Sequence, residues 1–131
     1  MHRTTVKTFA LAALLGLLPA LAFAAAPQGA WRGSIQRGTD SVPVEASFST
    51  NAVEVRFPST FACKVKADYV RPDGKSLTYR FGLSINGGAF CDGLMGKTLT
   101  VTAPDGSNTV TLAFSSSGDW TGELSRQSTS P

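Results

Sequence analysis

Histidine is the commonest general base near neutral pH and a common metal ligand. It occurs once in this sequence, at His2. The other strong candidates for chemistry are two cysteines, Cys63 and Cys91, and nine Asp and Glu residues. Past position 2 there is no Ser-His-Asp or Cys-His arrangement and no His-containing zinc site, and two thiolates alone cannot close a structural zinc site. The carboxylates are scattered singly, with no D-x-D or E-x-x-E pair to share acid and base roles. These residues therefore point to a non-enzymatic protein, and no metal or other cofactor is expected. What remains for the cysteines is a disulfide. They lie 28 positions apart rather than in a C-x-x-C motif, which favours a structural bridge over a redox-active one. Closing a loop of that size stabilises a fold by roughly 3 to 4 kcal/mol on the chain-entropy model.

A disulfide requires an oxidising compartment, and the first residues supply the route to one. Arg3 and Lys7 form a positive segment, Phe9 to Leu18 an apolar one, Pro19 interrupts it, and Ala22-Phe23-Ala24 is an A-x-A cleavage site. Residues 1–24 read as a signal peptide of bacterial type, with the mature chain starting at Ala25 in the periplasm or outside the cell. No cysteine at that site invites lipid attachment, and no N-x-S/T sequon follows. The apolar run is too short for a permanent span, and no later stretch approaches the roughly 18 apolar residues a spanning helix needs. Cleavage also changes the charge. It removes His2, Arg3 and Lys7, leaving ten Lys and Arg against nine Asp and Glu, so the formal net charge falls from +3 to +1. No basic run survives to grip phosphates, which sets nucleic acid aside as a partner.

The rest of the 131 residues suffices for one domain with one core. Ala25 to Gln28 reads as a join, 29–126 as a single β-barrel or sandwich domain, and 127–131 as a disordered polar tail ending Ser-Thr-Ser-Pro. Apolar residues recur with period two, and Gly, Pro, Asn or Asp punctuate every eight to twelve residues, the mark of short half-buried strands. Eight are expected: Ala30 to Gln36, Val42 to Ser49, Ala52 to Phe57, Phe61 to Val70, Ser76 to Ser84, Thr98 to Ala103, Thr109 to Phe114, and Asp119 to Arg126. One wet and one dry face per strand means antiparallel sheet, and the short turns favour a meander closed or nearly closed into a small barrel.

The positioning of charge depends on hairpin register. Arg71-Pro72-Asp73-Gly74-Lys75 reads as a three-residue loop with Gly74 left-handed, setting Arg71 opposite Lys75. Tyr69 then meets Leu77, Ala67 meets Tyr79, Val65 meets Phe81 and Cys63 meets Leu83, all inward. On the outer face Lys66 would oppose Arg80, with Lys64 two residues away and Asp68 diagonal to Arg80. Two interpretations stand: an ordinary solvated face, or a docking patch for a protein with an acidic surface.

A second internal signal links the chain's ends. Gly29-Ala30-Trp31-Arg32-Gly33-Ser34-Ile35 and Gly118-Asp119-Trp120-Thr121-Gly122-Glu123-Leu124 both spell G-x-W-x-G-x-[IL]. Each puts Gly, Trp, Gly and an aliphatic residue on one strand face, the second Gly leaving room for a neighbouring indole or a sharp coil. Matched motifs in the first and last strands predict that these lie side by side, with both tryptophans buried and both sheet edges removed. The G-x-W at Gly29 to Trp31, opening a small exported all-β meander, resembles the start of the calycin barrels, the lipocalins and avidin-like proteins. That resemblance implies an eight-stranded up-and-down barrel with a ligand cavity at one mouth. The chain is shorter than either group's usual subunit, and no ligand residue carries over.

Two functions follow. One is binding of another macromolecule, as an inhibitor, immunity-type or accessory protein, through loops held by rigid strands. The other is carriage of a small ligand inside the barrel. Seven inward aromatics, Phe48, Phe57, Phe61, Tyr69, Tyr79, Phe81 and Phe114, favour a solid core, because eight strands enclose a space that side chains just fill. The preferred surface is the segment between the cysteines. In a plain meander they would sit two strands apart, near 9.5 Å at about 4.8 Å per strand, beyond the roughly 7 Å limit for bridged Cα atoms. Ser84 to Gly96 is therefore expected to leave the sheet, its glycines giving the freedom to bring Cys91 beside Cys63. Asn86, Phe90, Asp92, Leu94 and Met95 would sit at its surface or rim, either as a recognition loop or as a plug over one end of the core.

Overall fold

A computed structural model describes residues 26–104 and 107–128. The expected signal segment and cleavage site, Ala25 and the last three residues of the expected tail lie outside these. Eight antiparallel strands in chain order close into a barrel: β1 (Gly29–Arg37), β2 (Asp40–Phe48), β3 (Ala52–Phe57), β4 (Cys63–Asp73), β5 (Ser76–Ile85), β6 (Thr98–Thr102), β7 (Thr109–Ser115) and β8 (Asp119–Arg126). The one helix among the described residues is a single turn, α1 (Ala89–Asp92), between β5 and β6. The barrel is thus the closed form of the expected meander.

Alternation along the strands explains the core. Val42, Val44, Ala46 and Phe48 of β2, Val53, Val55 and Phe57 of β3, and Val110, Leu112 and Phe114 of β7 are all buried, and the residues between them are less buried and mostly polar. Phe61 and Tyr69, expected inside, are only half-buried against the core. Phe61 precedes β4, which starts at Cys63 and runs on to Asp73.

Closure rests on the paired repeats. β1 runs antiparallel to β8, with Trp31 opposite Arg126, Arg32 opposite Ser125 and Gly33 opposite Leu124. Trp31 and Trp120 are buried, at 2% and 3% exposure. The second glycine of each motif makes room for the partner strand rather than for an indole. A Cβ on Gly33 would collide with the Glu123 carbonyl oxygen and lie 2.8 Å from Leu124 Cδ2, and one on Gly122 would collide with the Ser34 carbonyl oxygen and lie 2.6 Å from Ile35 Cα. Gly122→Ala is accordingly expected to destabilise the barrel by about 3 kcal/mol, the upper part of the range for overpacking, since backbone must move to admit the methyl. Gly74→Ala, whose Cβ would meet open space, should lose only about 1 kcal/mol through its positive φ. Urea melts of the two variants check the contrast.

The repeats extend further than G-x-W-x-G-x-[IL]. Two residues on, each carries an arginine, Arg37 and Arg126. In the antiparallel pair each arginine covers the other motif's indole: Arg126 over Trp31 and Arg37 over Trp120, both 4.6 Å from guanidinium carbon to ring centroid. Arg37 also donates to the Ser117 carbonyl at 2.8 Å and pairs with Asp40 at 3.0 Å, tying the β1–β2 and β7–β8 turns together.

Candidate functional site

The β4–β5 hairpin sets the surface on which the expected docking residues lie, and its register differs from the sequence-based one. The turn has two residues, Gly74 and Lys75, between the pair Asp73 and Ser76. Gly74 has φ of 63°, as a Gly-first hairpin turn of type II′ requires. Asp68 therefore faces Arg80, Ala67 faces Phe81 and Tyr69 faces Tyr79. The expected contact of Lys66 with Arg80 does not form. Lys66 instead faces Glu54 of β3.

Two irregularities complete the difference. Val70 is unopposed between the pairs Tyr69–Tyr79 and Arg71–Thr78, and Gly82 and Leu83 together oppose Lys66 between the pairs Ala67–Phe81 and Val65–Ser84. An extra residue in one strand reverses the alternation beyond it. Leu83, expected in the core opposite Cys63, is 80% exposed, and Ile85, opposite Lys64, is 50% exposed. Ser84 turns to the barrel mouth, where its hydroxyl donates to Asp92 Oδ1 of α1.

The outer face of β3, β4 and β5 thus carries Glu54, Arg56, Lys64, Lys66, Asp68 and Arg80 beside Leu83 and Ile85. Lys64 pairs with Glu54 at 3.8 Å, and Arg56 pairs at 3.6 Å with Glu45 of β2, which also holds Arg32 at 3.2 Å. Among the described residues Lys66 and Arg80 form no ion pair; Asp68, opposite Arg80, offsets part of their charge, and the face keeps a small positive excess. Exposed cations of this kind act over about 8 Å at physiological salt.

The segment between β5 and β6 begins at Asn86, two residues later than expected, because β5 continues to Ile85. Asn86 is exposed with φ of 66° and turns the chain off the strand. Cys91 on α1 bridges Cys63, with Cα atoms 6.3 Å apart. The excursion supplies the shortcut that the strand spacing required. Leu94, expected at the rim, is fully buried, and Phe90 is half-buried, stacked on Phe61 with centroids 4.2 Å apart and edge-on to Phe57 and Trp120. Cys91, Phe90 and Leu94 make this segment a plug of the barrel mouth. Its outer side keeps Asn86, Asp92 and Met95, the last 41% exposed, so the structure joins the plug and the exposed rim in one element.

No protein-family model matches this chain, and neither a curated protein nor a solved structure matches it. Its surfaces must speak through their chemistry. Among the described residues no three His, Cys, Asp or Glu side chains gather as a metal site would need, and no helix is long and apolar enough to cross a membrane. A concavity of about 510 Å³ lies where β6 and β7 part: their pairing covers only Thr100 to Thr102 against Thr111 to Ala113, and Lys97, Thr98, Ser115 and Asp119 border the gap.

At the mouth opposite α1, Tyr79 is 1% exposed, edge-on to Phe48 and Tyr69, and its hydroxyl has no hydrogen-bond partner among the described residues. Burial, and then the neighbouring Tyr69, raise its pKa above the ordinary value of about 10. A pKa higher in the folded state gives a contribution fully present below pH 10 and lost as pH climbs toward the folded value. Tyr79→Phe removes an unsatisfied buried hydroxyl and should leave stability at pH 7 unchanged or raise it by about 1 kcal/mol. It should also flatten the fall in melting temperature above pH 10, which a pH series of thermal melts would record.

Proposed function

We propose that the chain is exported and that its mature form is a non-enzymatic binding protein for another protein, as an inhibitor, immunity-type or accessory component in the periplasm or outside the cell. The leader of residues 1–24 and the Cys63–Cys91 bridge support export. The observation that carries the binding reading is the outward turn of Leu83 and Ile85 beside Lys66 and Arg80. Exposed aliphatic side chains next to cations that form no ion pair make a surface suited to an acidic protein partner. The interior offers less. Trp31, Val55, Phe57, Tyr79, Phe81, Leu99 and Leu112 are buried within a barrel of a size that side chains fill.

One observation favours a second reading, a calycin-like carrier of a small ligand: the unpartnered Tyr79 hydroxyl beside the half-buried Tyr69, which could donate to a guest at that mouth. A single experiment separates the two. Tagged full-length protein is recovered from the periplasm at low salt and its intact mass is taken under native conditions. A stoichiometric protein partner that dissociates as salt rises is the expected result. A small-molecule adduct, absent from Tyr79→Phe, would replace the binding reading with the carrier. Recovery of the bare chain alone would refute both.

A further inference from the structure

Beyond Arg80 the edge of β5 has no strand beside it. Its pairing with β6 ends at Arg80 and Thr98, and one more set of backbone bonds follows, Phe81 N–H to the Lys97 carbonyl at 2.9 Å and Gly96 N–H to the Phe81 carbonyl at 2.8 Å. From there the chain of residues 89–96 folds over the mouth, while β5 runs on through Gly82, Leu83, Ser84 and Ile85, paired only with β4. Among the described residues no backbone hydrogen bond reaches these four from the β6 side. An unpaired strand edge is a template for another strand. We propose that this edge takes, by strand addition, an extended segment of a partner protein that alternates apolar and acidic residues; the proposal rests on the binding-protein reading and names its contact.

Charge selects this occupant. Four residues at about 3.3 Å each provide about 13 Å of edge. In an added strand, every second side chain would share the outer face with Leu83 and Ile85, where Lys66 and Arg80 lie without ion pairs. Aliphatic side chains would cover Leu83 and Ile85, and carboxylates would meet the two cations. A second copy of this chain pairing edge to edge would instead set this net-positive face against itself. The ends of the described residues are also remote: the Gln28 carbonyl accepts from Trp31 Nε1, and Gln127 N–H donates to the Ala30 carbonyl, both at the mouth opposite α1.

The test uses mature, disulfide-bonded, nitrogen-15-labelled protein and a capped octapeptide of alternating valine and glutamate. The controls are the same peptide with lysine for glutamate and one with the residues in two blocks. Amide shifts confined to Lys64–Lys66 and Gly82–Ile85 are expected with the alternating acidic peptide. Binding should weaken at least tenfold in Leu83→Asp and in the Lys66→Gln, Arg80→Gln double variant, and should weaken as salt rises. These side chains are exposed, and unchanged melting temperatures would verify that the variants fold. Absence of binding by the alternating peptide, shifts elsewhere, or equal affinity in both variants would overturn the proposal. The periplasmic recovery repeated with the same variants separates it from the reading beneath it: a partner retained equally by Leu83→Asp refutes the edge and leaves the binding protein standing, whereas no partner on the parent chain refutes both.

Discussion

Trp31→Ala should cost about 3–5 kcal/mol of stability, and Trp120→Ala about the same. Domains of this size are stable by about 5–15 kcal/mol, so either change removes a large part of what holds the fold. Each indole is nearly fully buried and has its N–H satisfied, Trp31 by the Gln28 carbonyl at 3.0 Å and Trp120 by the Ser116 carbonyl at 3.3 Å. Removal therefore leaves both a cavity and an unpaired carbonyl. The two losses act through different seams: Trp31 sits where β1 meets β8 at one mouth, and Trp120 contacts Phe90 of the plug at the other. Trp120→Ala should accordingly loosen α1 as well, seen as faster hydrogen exchange at Cys91 to Leu94, while Trp31→Ala should leave α1 protected up to global unfolding. Chemical denaturation with both variants tests the magnitude. A double-mutant cycle between Trp31 and Arg126 should return a coupling of about 0.5–1 kcal/mol, that of an exposed guanidinium on a ring face. A loss below about 1 kcal/mol in Trp31→Ala would show that the tryptophan is not a closure element.

The joint Cys63→Ala and Cys91→Ala variant should lose about 3–4 kcal/mol, mainly because the unfolded chain regains the freedom of a loop of 28 positions. The native barrel is not expected to change shape, since Leu94 and Phe90 still anchor the segment by burial. Local opening should change more than global structure. Residues 86–97 should become the first site of limited proteolysis, while the far hairpin at Gly74 is cut no faster than before. Comparison of oxidised and reduced parent protein by urea titration and timed digestion measures both effects. Equal midpoints for oxidised and reduced protein would refute the stabilising role of the bridge.

Strand order, the closing seam and the cysteine bridge were legible in the sequence because each has a local mark. Val42 to Phe48 and Val110 to Phe114 alternate without interruption, and a half-buried strand is the conformation that gives such a pattern a dry face. The repeated G-x-W-x-G marked β1 and β8 as neighbours, and the spacing of Cys63 and Cys91 required a detour. Arg37 and Arg126 were also legible: each follows its tryptophan by six residues, and extending the repeat by two positions reveals them.

Leu83 was decided otherwise. In the linear pattern it follows Phe81 at the interval of two that marks a core position, and the one local hint of a bulge is Gly82 beside it, which does not fix the phase of the residues beyond. The phase is settled by the hairpin's far end and by its neighbours together. A two-residue turn at Gly74 shifts the register, Val70 and the Gly82–Leu83 pair absorb the offset, and Ser84 rather than Leu83 then faces the mouth that α1 covers. A bulge changes few local preferences while reversing every side chain beyond it, so its energy lies in contacts between strands distant in sequence. By itself the sequence determined an all-β chain with its seam and its bridge. Only the tertiary structure decided which face of β5 would meet water, because that choice depends on how whole strands pack and not on any residue's own preference.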